Sequence, residues 1–296
     1  MNRRRFVRQS AAAAAAGALL GPGAARALAA ARAAGVPDAI GLQLWTVRDL
    51  LPNDVNGVLE ALARAGIGEV ETAGYAERDP AAFAAALDAL GLVAPAAHQL
   101  VREAVPESEM APSLPAFGPA LETAVSVGHG YLVIPWLPPD ARPDRDGYLR
   151  LADRLNELGT RARAAGVQLA YHNHDFEFDA FGADRPAYVD FAERLDAELV
   201  ALELDIYWST VAGYDAVELF EAFPGRFPLW HVKDGAGPEM EQVAVGQGTI
   251  DWPRVFAASA TAGLRHAFLE ADEPPGGDGL GFARASAAYL HALRDG

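Results

Sequence analysis

The 296-residue chain contains no cysteine. That absence excludes disulfides, thiolate metal sites, cysteine nucleophiles and lipid attachment at cysteine. Lysine is almost as scarce: of 24 basic residues, Lys233 is the single lysine and the rest are arginine. Positive charge of either kind is outweighed by 40 acidic residues, for a formal net charge of −16. So negative a surface repels phosphate backbones and anionic lipid, so neither nucleic acid nor a stable membrane association is expected. Long apolar runs are missing too, and the alanine-rich run at residues 11–20 is too short for a membrane span. What the chain has in quantity is apolar residues, at 51%, enough for a large core at a length normal for one α/β barrel.

A chain that uses arginine nearly everywhere yet keeps one ammonium marks that position out. Lys233 lies two residues from His231 and next to Asp234, in the stretch Leu229-Trp230-His231-Val232-Lys233-Asp234. A compact, mobile charge suits such a place, and arginine's rigid fork does not. The competing reading is a salt-bridged lysine at a strand end.

Residues 1–29 read as a leader. A basic segment, Asn2-Arg3-Arg4-Arg5-Phe6-Val7-Arg8, precedes the alanine-rich run, and Ala27-Leu28-Ala29 offers small-x-small cleavage before Ala30. The segment resembles a twin-arginine export signal, which implies a periplasmic or extracellular protein folded around its cofactor before export; an ordinary secretory signal or a retained amphipathic tail is the alternative. Its removal takes five arginines and no acid, leaving 24 − 5 = 19 cations against 40 anions, or −21.

Residues 30–296 read as one domain. A short apolar strand, a polar loop, an alanine-rich helix and a glycine recur along them, with strands ending near Trp45, Thr72, His98, Trp136, His172, Asp205, His231 and Glu270. Helices are expected at residues 55–64 and 81–90, the latter capped by Asp79 with Pro80 in its first turn. Gly66, Gly91, Gly128, Gly166 and Gly263 mark helix exits. Eight strand–helix units of nearly continuous apolar strands predict a single (β/α)8 TIM barrel, of the α/β class. An open doubly wound sheet is the alternative, weakened by Trp45-Thr46-Val47-Arg48 standing where a glycine-rich phosphate loop would be. The loops at residues 105–115 and 137–146 are expected over the top of the barrel, and 276–279 as a flexible loop.

The strand ends deliver titratable groups to one rim: His98, His172-Asn173-His174, Asp205, His231 and Glu270. Barrel enzymes place their sites at that C-terminal face. His172, Asp205, His231 and Glu270 form a mixed N/O set suited to a divalent ion with open positions, such as Mn, Co, Fe or Zn. His129 and His291 read as surface residues, and His266 as a residue of the opposite face. Trp45, Trp136 and Trp208 fall at strand ends, where an indole can stack on a sugar or simply cap the core. Trp230 reads as packing and Asp251 as a helix cap.

Four ordered motifs carry a family resemblance: residues 171–178 (YHNHDFEF), 204–208 (LDIYW) with Ala212-Gly213, 225–234 (GRFPLWHVKD) and 245–252 (VGQGTIDW). Together they resemble the sugar phosphate isomerase/epimerase family of xylose isomerase-like TIM barrels. The resemblance implies a metal at the ends of strands five to eight, with the family's aspartate, histidine and final glutamate falling on Asp205, His231 and Glu270. On strand five the better-known epimerases carry a glutamate where this chain has His172. That puts a symmetric two-carboxylate proton exchange in doubt and leaves Glu177 as an alternative ligand or base.

The implied chemistry is proton removal beside a sugar carbonyl, through an enediolate, by an isomerase or epimerase. Glu270, His174 or Glu177 would serve as base, Lys233 as electrophilic partner and His98 as a substrate contact or, equally, a structural histidine. A lyase or dehydratase on a 3-keto-glycoside or inosose-like substrate is the alternative, and a non-catalytic carbohydrate-binding barrel stands in another class. AP endonuclease activity is disfavoured by acidity and export. The expected partner is a small non-phosphorylated carbohydrate; the oligomeric state stays open.

Overall fold

The computed structural model describes residues 35–296; the leader and the first residues of the expected domain lie outside them. Eight parallel strands close into a barrel: β1 (Gly41–Gln43), β2 (Glu69–Thr72), β3 (Val93–His98), β4 (Tyr131–Ile134), β5 (Gln168–His172), β6 (Val200–Asp205), β7 (Leu229–Val232) and β10 (His266–Leu269). Between β7 and the last barrel strand a small antiparallel hairpin is inserted, β8 (Asp234–Ala236) with β9 (Glu241–Val243). The outer helices include α1 (Val55–Arg64), α2 (Pro80–Asp88), α3 (Phe117–Val127), α4 (Arg145–Ala164), α5 (Ala187–Arg194), α6 (Ile206–Val211), α7 (Ala216–Ala222), α8 (Trp252–Ala257), α9 (Ser259–Ala262) and α10 (Gly279–Asp295). The (β/α)8 expectation is therefore met. Among the described residues no helix is long and apolar enough to cross a membrane.

Local chemistry explains the helix starts. Asp54, Asp79, Asp144, Asp215, Asp251 and Asp278 each accept a backbone N–H at a helix N-terminus, so part of the acidic surplus compensates the orphan donors there. At the exits, the five expected glycines all adopt left-handed backbone, Gly128 at φ 90° being the extreme. Some boundaries differ. β1 stops at Gln43 and turns into a 3-10 segment, Leu44–Val47, so Trp45 stands on the rim rather than in the strand. β4 stops at Ile134, before Pro135, which places Trp136 in the following loop. In the 276–279 segment, Asp278 caps α10 and Gly279 opens it.

Strand alternation sorts the side chains into two shells. Leu202, Leu204, Trp230 and Val232 point outward into the layer beneath the helices, where Trp230 stacks on Phe220 at 4.7 Å. Ala96, Tyr131, Val133, Ala170, Ala201, Leu229 and Phe268 fill the barrel interior as a separate apolar cluster. Parallel register then stacks the next inward residues above that cluster, with His172 beside Glu203, Asp205 beside His231, and His231 beside Phe268. The apolar plug forms the floor, and charge begins one layer up.

Two loop ties shape the rim. Asp140 accepts from the Ser108 hydroxyl at 3.0 Å and the Glu109 N–H at 2.7 Å, joining the loops after β3 and β4. Asp234, buried, accepts from the N–H groups of Gly246 and Gly248 at 2.9 and 3.1 Å and from Trp252 Nε1 at 3.0 Å. That single carboxylate organises the whole 245–252 motif, and Gly248 is required because a Cβ there would collide with it. Hydrogen bonds to an ionised acceptor are worth roughly 1.5–3 kcal/mol each, so Asp234→Ala should destabilise by about 3 kcal/mol or more. Urea unfolding at neutral pH measures it; a loss below about 1 kcal/mol would show the loop is held by other contacts.

Candidate active site

A cleft of about 620 Å³ opens at the C-terminal rim, lined by Trp45, Gln99, Trp136, His98, His172, His174, Glu270 and Asp272 among others. At its floor His172, Asp205, His231 and Glu270 offer four ligand atoms, all within 4.8 Å of one another. Each comes from a different strand end. His231 Nδ1 lies 2.6 Å from Glu270 Oε2, and His172 Nε2 lies 3.7 Å from Asp205 Oδ2. Lys233 reaches the same acids, its Nζ 2.9 Å from Asp205 Oδ2, 2.6 Å from Glu270 Oε2 and 2.9 Å from Asp272 Oδ2.

One layer deeper lies a second cluster. Glu71 and Glu203, both fully buried, face His98, His172 and His231. His98 Nε2 contacts Glu203 at 2.7 Å and Glu71 at 3.1 Å. His231 Nε2 contacts Glu71 at 2.7 Å, and Gln43 donates to the same Glu71 oxygen at 2.8 Å.

Proton affinities follow from these contacts. Burial works to raise the Glu71 carboxyl, yet His98 and His231 hold it at about 2. Burial and then the Glu71 charge push Glu203 up to about 7. Burial would depress His98, but Glu71 and Glu203 lift it to about 9. His172 is held well below the usual imidazole range by burial and by His231. His174 falls to about 3 through burial and then the Lys233 charge. Both imidazoles of the strand-five tip are thus neutral near pH 7, the form in which histidine accepts a proton or binds a metal.

The donor set fits a divalent cation. It combines two imidazoles with two carboxylates, the mixture borderline ions prefer; His172 is neutral, whereas His231, which burial would lower, is held well above the usual imidazole range by Glu203 and Glu270, so an ion bound there would displace its proton. Asp205 Oδ2 has an ammonium near it but no well-aligned hydrogen bond, so its lone pairs are available.

Residues 59–287, well over half of the chain, match the family model described as xylose isomerase-like TIM barrel. The chain belongs to that family. A crystal structure of a sugar phosphate isomerase/epimerase from Parabacteroides distasonis superposes with a TM-score of 0.72 at 26% identity, covering 88% of this chain and 94% of that one. The structure of an IolI protein with a zinc atom matches at TM-score 0.69 and 16% identity, over 87% of this chain and 98% of that one, a likeness of fold. Inosose dehydratase of Lacticaseibacillus casei is 32% identical over 90 residues, 30% of this chain and 29% of that protein. The matched stretch spans under a third of that relative's length.

Within this xylose isomerase-like frame, the residues expected from sequence separate into three groups. His172, Asp205, His231, Glu270 and Lys233 are brought together, and His174 joins them at the cleft wall. Trp45 and Trp136 line the cleft, whereas Trp208 is not among its lining residues and packs behind, 5.7 Å from His174 and 5.9 Å from Lys233. Glu177 and His98 form the third group. Glu177 is not brought to the cluster: it is fully buried, accepting from the Tyr171 hydroxyl at 2.7 Å and the His174 N–H at 2.8 Å. Its carboxylate braces the His174 loop. His98 lines the cleft, where a substrate contact is expected, and its Nε2 is shared between Glu203 and Glu71.

His129, read as a surface residue, is buried, with Nδ1 on the Ala94 carbonyl at 2.7 Å and Nε2 on the Tyr75 hydroxyl at 3.1 Å. Glu71, Glu203 and Asp272 were not anticipated. Glu203 had a signal: it stands two residues before Asp205 in an apolar strand, hence on the same face.

Glu177 also sets a pH dependence. Burial raises its carboxyl from 4.5 to about 7. The folded state therefore binds a proton the unfolded state has released between those values, and stability contributed below pH 4.5 is lost as pH rises through 7. A shift of that size corresponds to about 3 kcal/mol. Glu177→Gln should flatten the fall in stability between pH 5 and 7 by roughly that amount while metal content stays unchanged. Lost metal in this variant would restore Glu177 to the ligand set.

Proposed function

We propose that the protein is a metal-dependent sugar isomerase or epimerase that shifts a proton on the carbon beside a carbonyl, acting on a non-phosphorylated sugar or keto-sugar. The observation that carries this reading is the four-donor set His172, Asp205, His231 and Glu270 at the floor of a cleft with a neutral imidazole and a carboxylate both lining it. His172, Asp205, His231 and Glu270 would hold a divalent ion, which would supply Lewis-acid polarisation of a carbonyl and its neighbouring hydroxyl. The zinc of the IolI relative supports a metal here without choosing among Mn, Co, Fe and Zn.

The chain's own groups supply the rest. Although burial works the other way, Lys233 and His231 hold Glu270 well below the usual carboxylate range, so it is ionised at neutral pH and would take a proton only once those two cations are drawn off it. His174, neutral, can accept or return one from its own side of the cleft. Burial would lower the Lys233 ammonium, but Asp205, Glu270 and Asp272 hold it well above its ordinary range. It therefore acts as a fixed charged donor to the oxygen on which negative charge develops. Trp45 and Trp136 give flat walls for a sugar ring. Among the described residues lining the cleft there is no arginine or lysine to clamp a phosphate, Lys233 being buried beneath them. Export through the twin-arginine route belongs to the same proposal and agrees with a non-phosphorylated substrate.

Elimination is the second reading, favoured by one observation: strand five presents His172 in place of a carboxylate, so the two sides of the site are chemically unequal. One base and one acid suffice for a dehydratase or lyase, and the partial likeness to inosose dehydratase points the same way. Incubating the metal-loaded protein with a 3-keto-glycoside in deuterated water separates the readings. Deuterium at carbon with the glycosidic bond intact supports the isomerase. Released aglycone supports elimination, and neither result would sink both.

A further inference from the structure

Each of the two histidines in the rim quartet presents its ring nitrogens to two different partners. His231 turns Nδ1 to Glu270 at 2.6 Å and Nε2 to Glu71 at 2.7 Å. His172 turns Nε2 toward Asp205 at 3.7 Å and Nδ1 to Glu203 at 3.1 Å. His98 then joins the two glutamates through a single nitrogen, 2.7 Å from Glu203 and 3.1 Å from Glu71. Gln43 adds a donor to Glu71 at 2.8 Å.

We infer that Glu71 and Glu203 are positioning residues which fix the tautomers of His231 and His172, with His98 locking the pair together from below. A carboxylate facing one ring nitrogen places the N–H there and leaves the opposite nitrogen's lone pair for the metal. The two rings are fixed in opposite senses: His231 binds through Nδ1 and His172 through Nε2. The inverse assignment uses the deeper cluster of His98, His172, Glu203 and His231 as the seat, which also has four donors. Charge decides against it, since the upper seat offers two carboxylates, Asp205 and Glu270, and the deeper one only Glu203. The carboxylate that the upper seat adds, Glu270, lines the cleft, whereas Glu203 is wholly buried, so an ion held at the upper seat would face substrate. The carboxylate orients the ring and raises its basicity, and loss of such a partner typically costs about 10–100-fold in metal affinity.

The inference rests on the functional reading's metal and is tested without turnover. Co(II) is loaded into the full chain, and proton NMR is recorded for hyperfine-shifted, solvent-exchangeable imidazole N–H signals. Two are expected, one per histidine, exchanging slowly because each is held by a buried glutamate. Glu71→Gln should speed exchange of the His231 proton alone and Glu203→Gln that of the His172 proton alone. Each variant should weaken Co(II) by about 10–100-fold in chelator competition. Co(II) bound without shifted N–H signals would put the ion on the nitrogens facing the glutamates and overturn this inference alone. Variants with unchanged exchange and affinity would do the same. Failure of the unmodified protein to bind Co(II) would overturn both this inference and the functional reading.

Discussion

Lys233→Arg should fold, keep its metal and lose about 10²-fold or more in kcat/KM. The ammonium is 1% exposed and sits between three acids, Asp205, Glu270 and Asp272, all within 2.9 Å of Nζ. A guanidinium carries its charge over a planar fork of three nitrogens and cannot place one compact donor at that point. It can still neutralise the acids, which is why folding and metal content should survive. What it cannot do is reach the developing oxyanion from the position Nζ holds, and preorganised donors of this kind are each worth roughly 2.7–4 kcal/mol in the transition state. Metal content measured beside steady-state rates distinguishes the outcomes. Turnover near that of the unmodified protein would reduce Lys233 to a structural ion pair.

His231→Ala should have two separable effects. Metal affinity should fall by more than the roughly 100-fold that loss of a mere supporting residue costs, since Nδ1 belongs to the donor set itself. In chelator, where no metal contributes, the variant should also be less stable by about 3–5 kcal/mol. The reason is that His231 is the shared partner of two buried carboxylates, Glu71 at 2.7 Å and Glu270 at 2.6 Å, and its removal leaves both short of a cation. Glu203, 3.4 Å away, loses a compensating charge as well. Metal titration and urea unfolding of the chelated protein read the two effects independently. An unchanged metal affinity would remove His231 from the ligand set even if the stability loss appeared.

The barrel was legible because its signals are local and repeated: apolar strands, aspartate caps and glycine exits lie within one unit of the chain. The upper layer of the site was legible for the same reason, since a histidine or acid at a strand tip can be read from its own strand. The deeper layer was harder. Glu71 sits in the short strand EVET, where nothing nearby in sequence announces that it meets His98 on the neighbouring β3 and His231 across the barrel. Glu203 could have been found by stepping back two residues from Asp205, because alternation fixes the face without knowledge of the partners. Glu177 misled in the opposite direction. It follows the strand-five tip closely, but the Phe176–Phe178 turn folds its carboxylate back onto Tyr171 and the His174 N–H. His129 depended on a carbonyl from another strand, Ala94, which no local pattern reveals. The β8–β9 hairpin likewise becomes intelligible only once Asp234 is seen accepting from the 245–252 loop.

The chemistry at the cleft floor depends on where the metal sits. Anomalous diffraction from crystals of the purified, metal-loaded protein, collected on both sides of the metal's absorption edge, locates the ion directly. The expected result is one peak at the cleft floor, within bonding distance of His172 Nε2, Asp205, His231 Nδ1 and Glu270, with at least one position open to the cleft. A peak among His98, Glu71 and Glu203, a peak at Glu177, or no peak in protein that binds its substrate would contradict it.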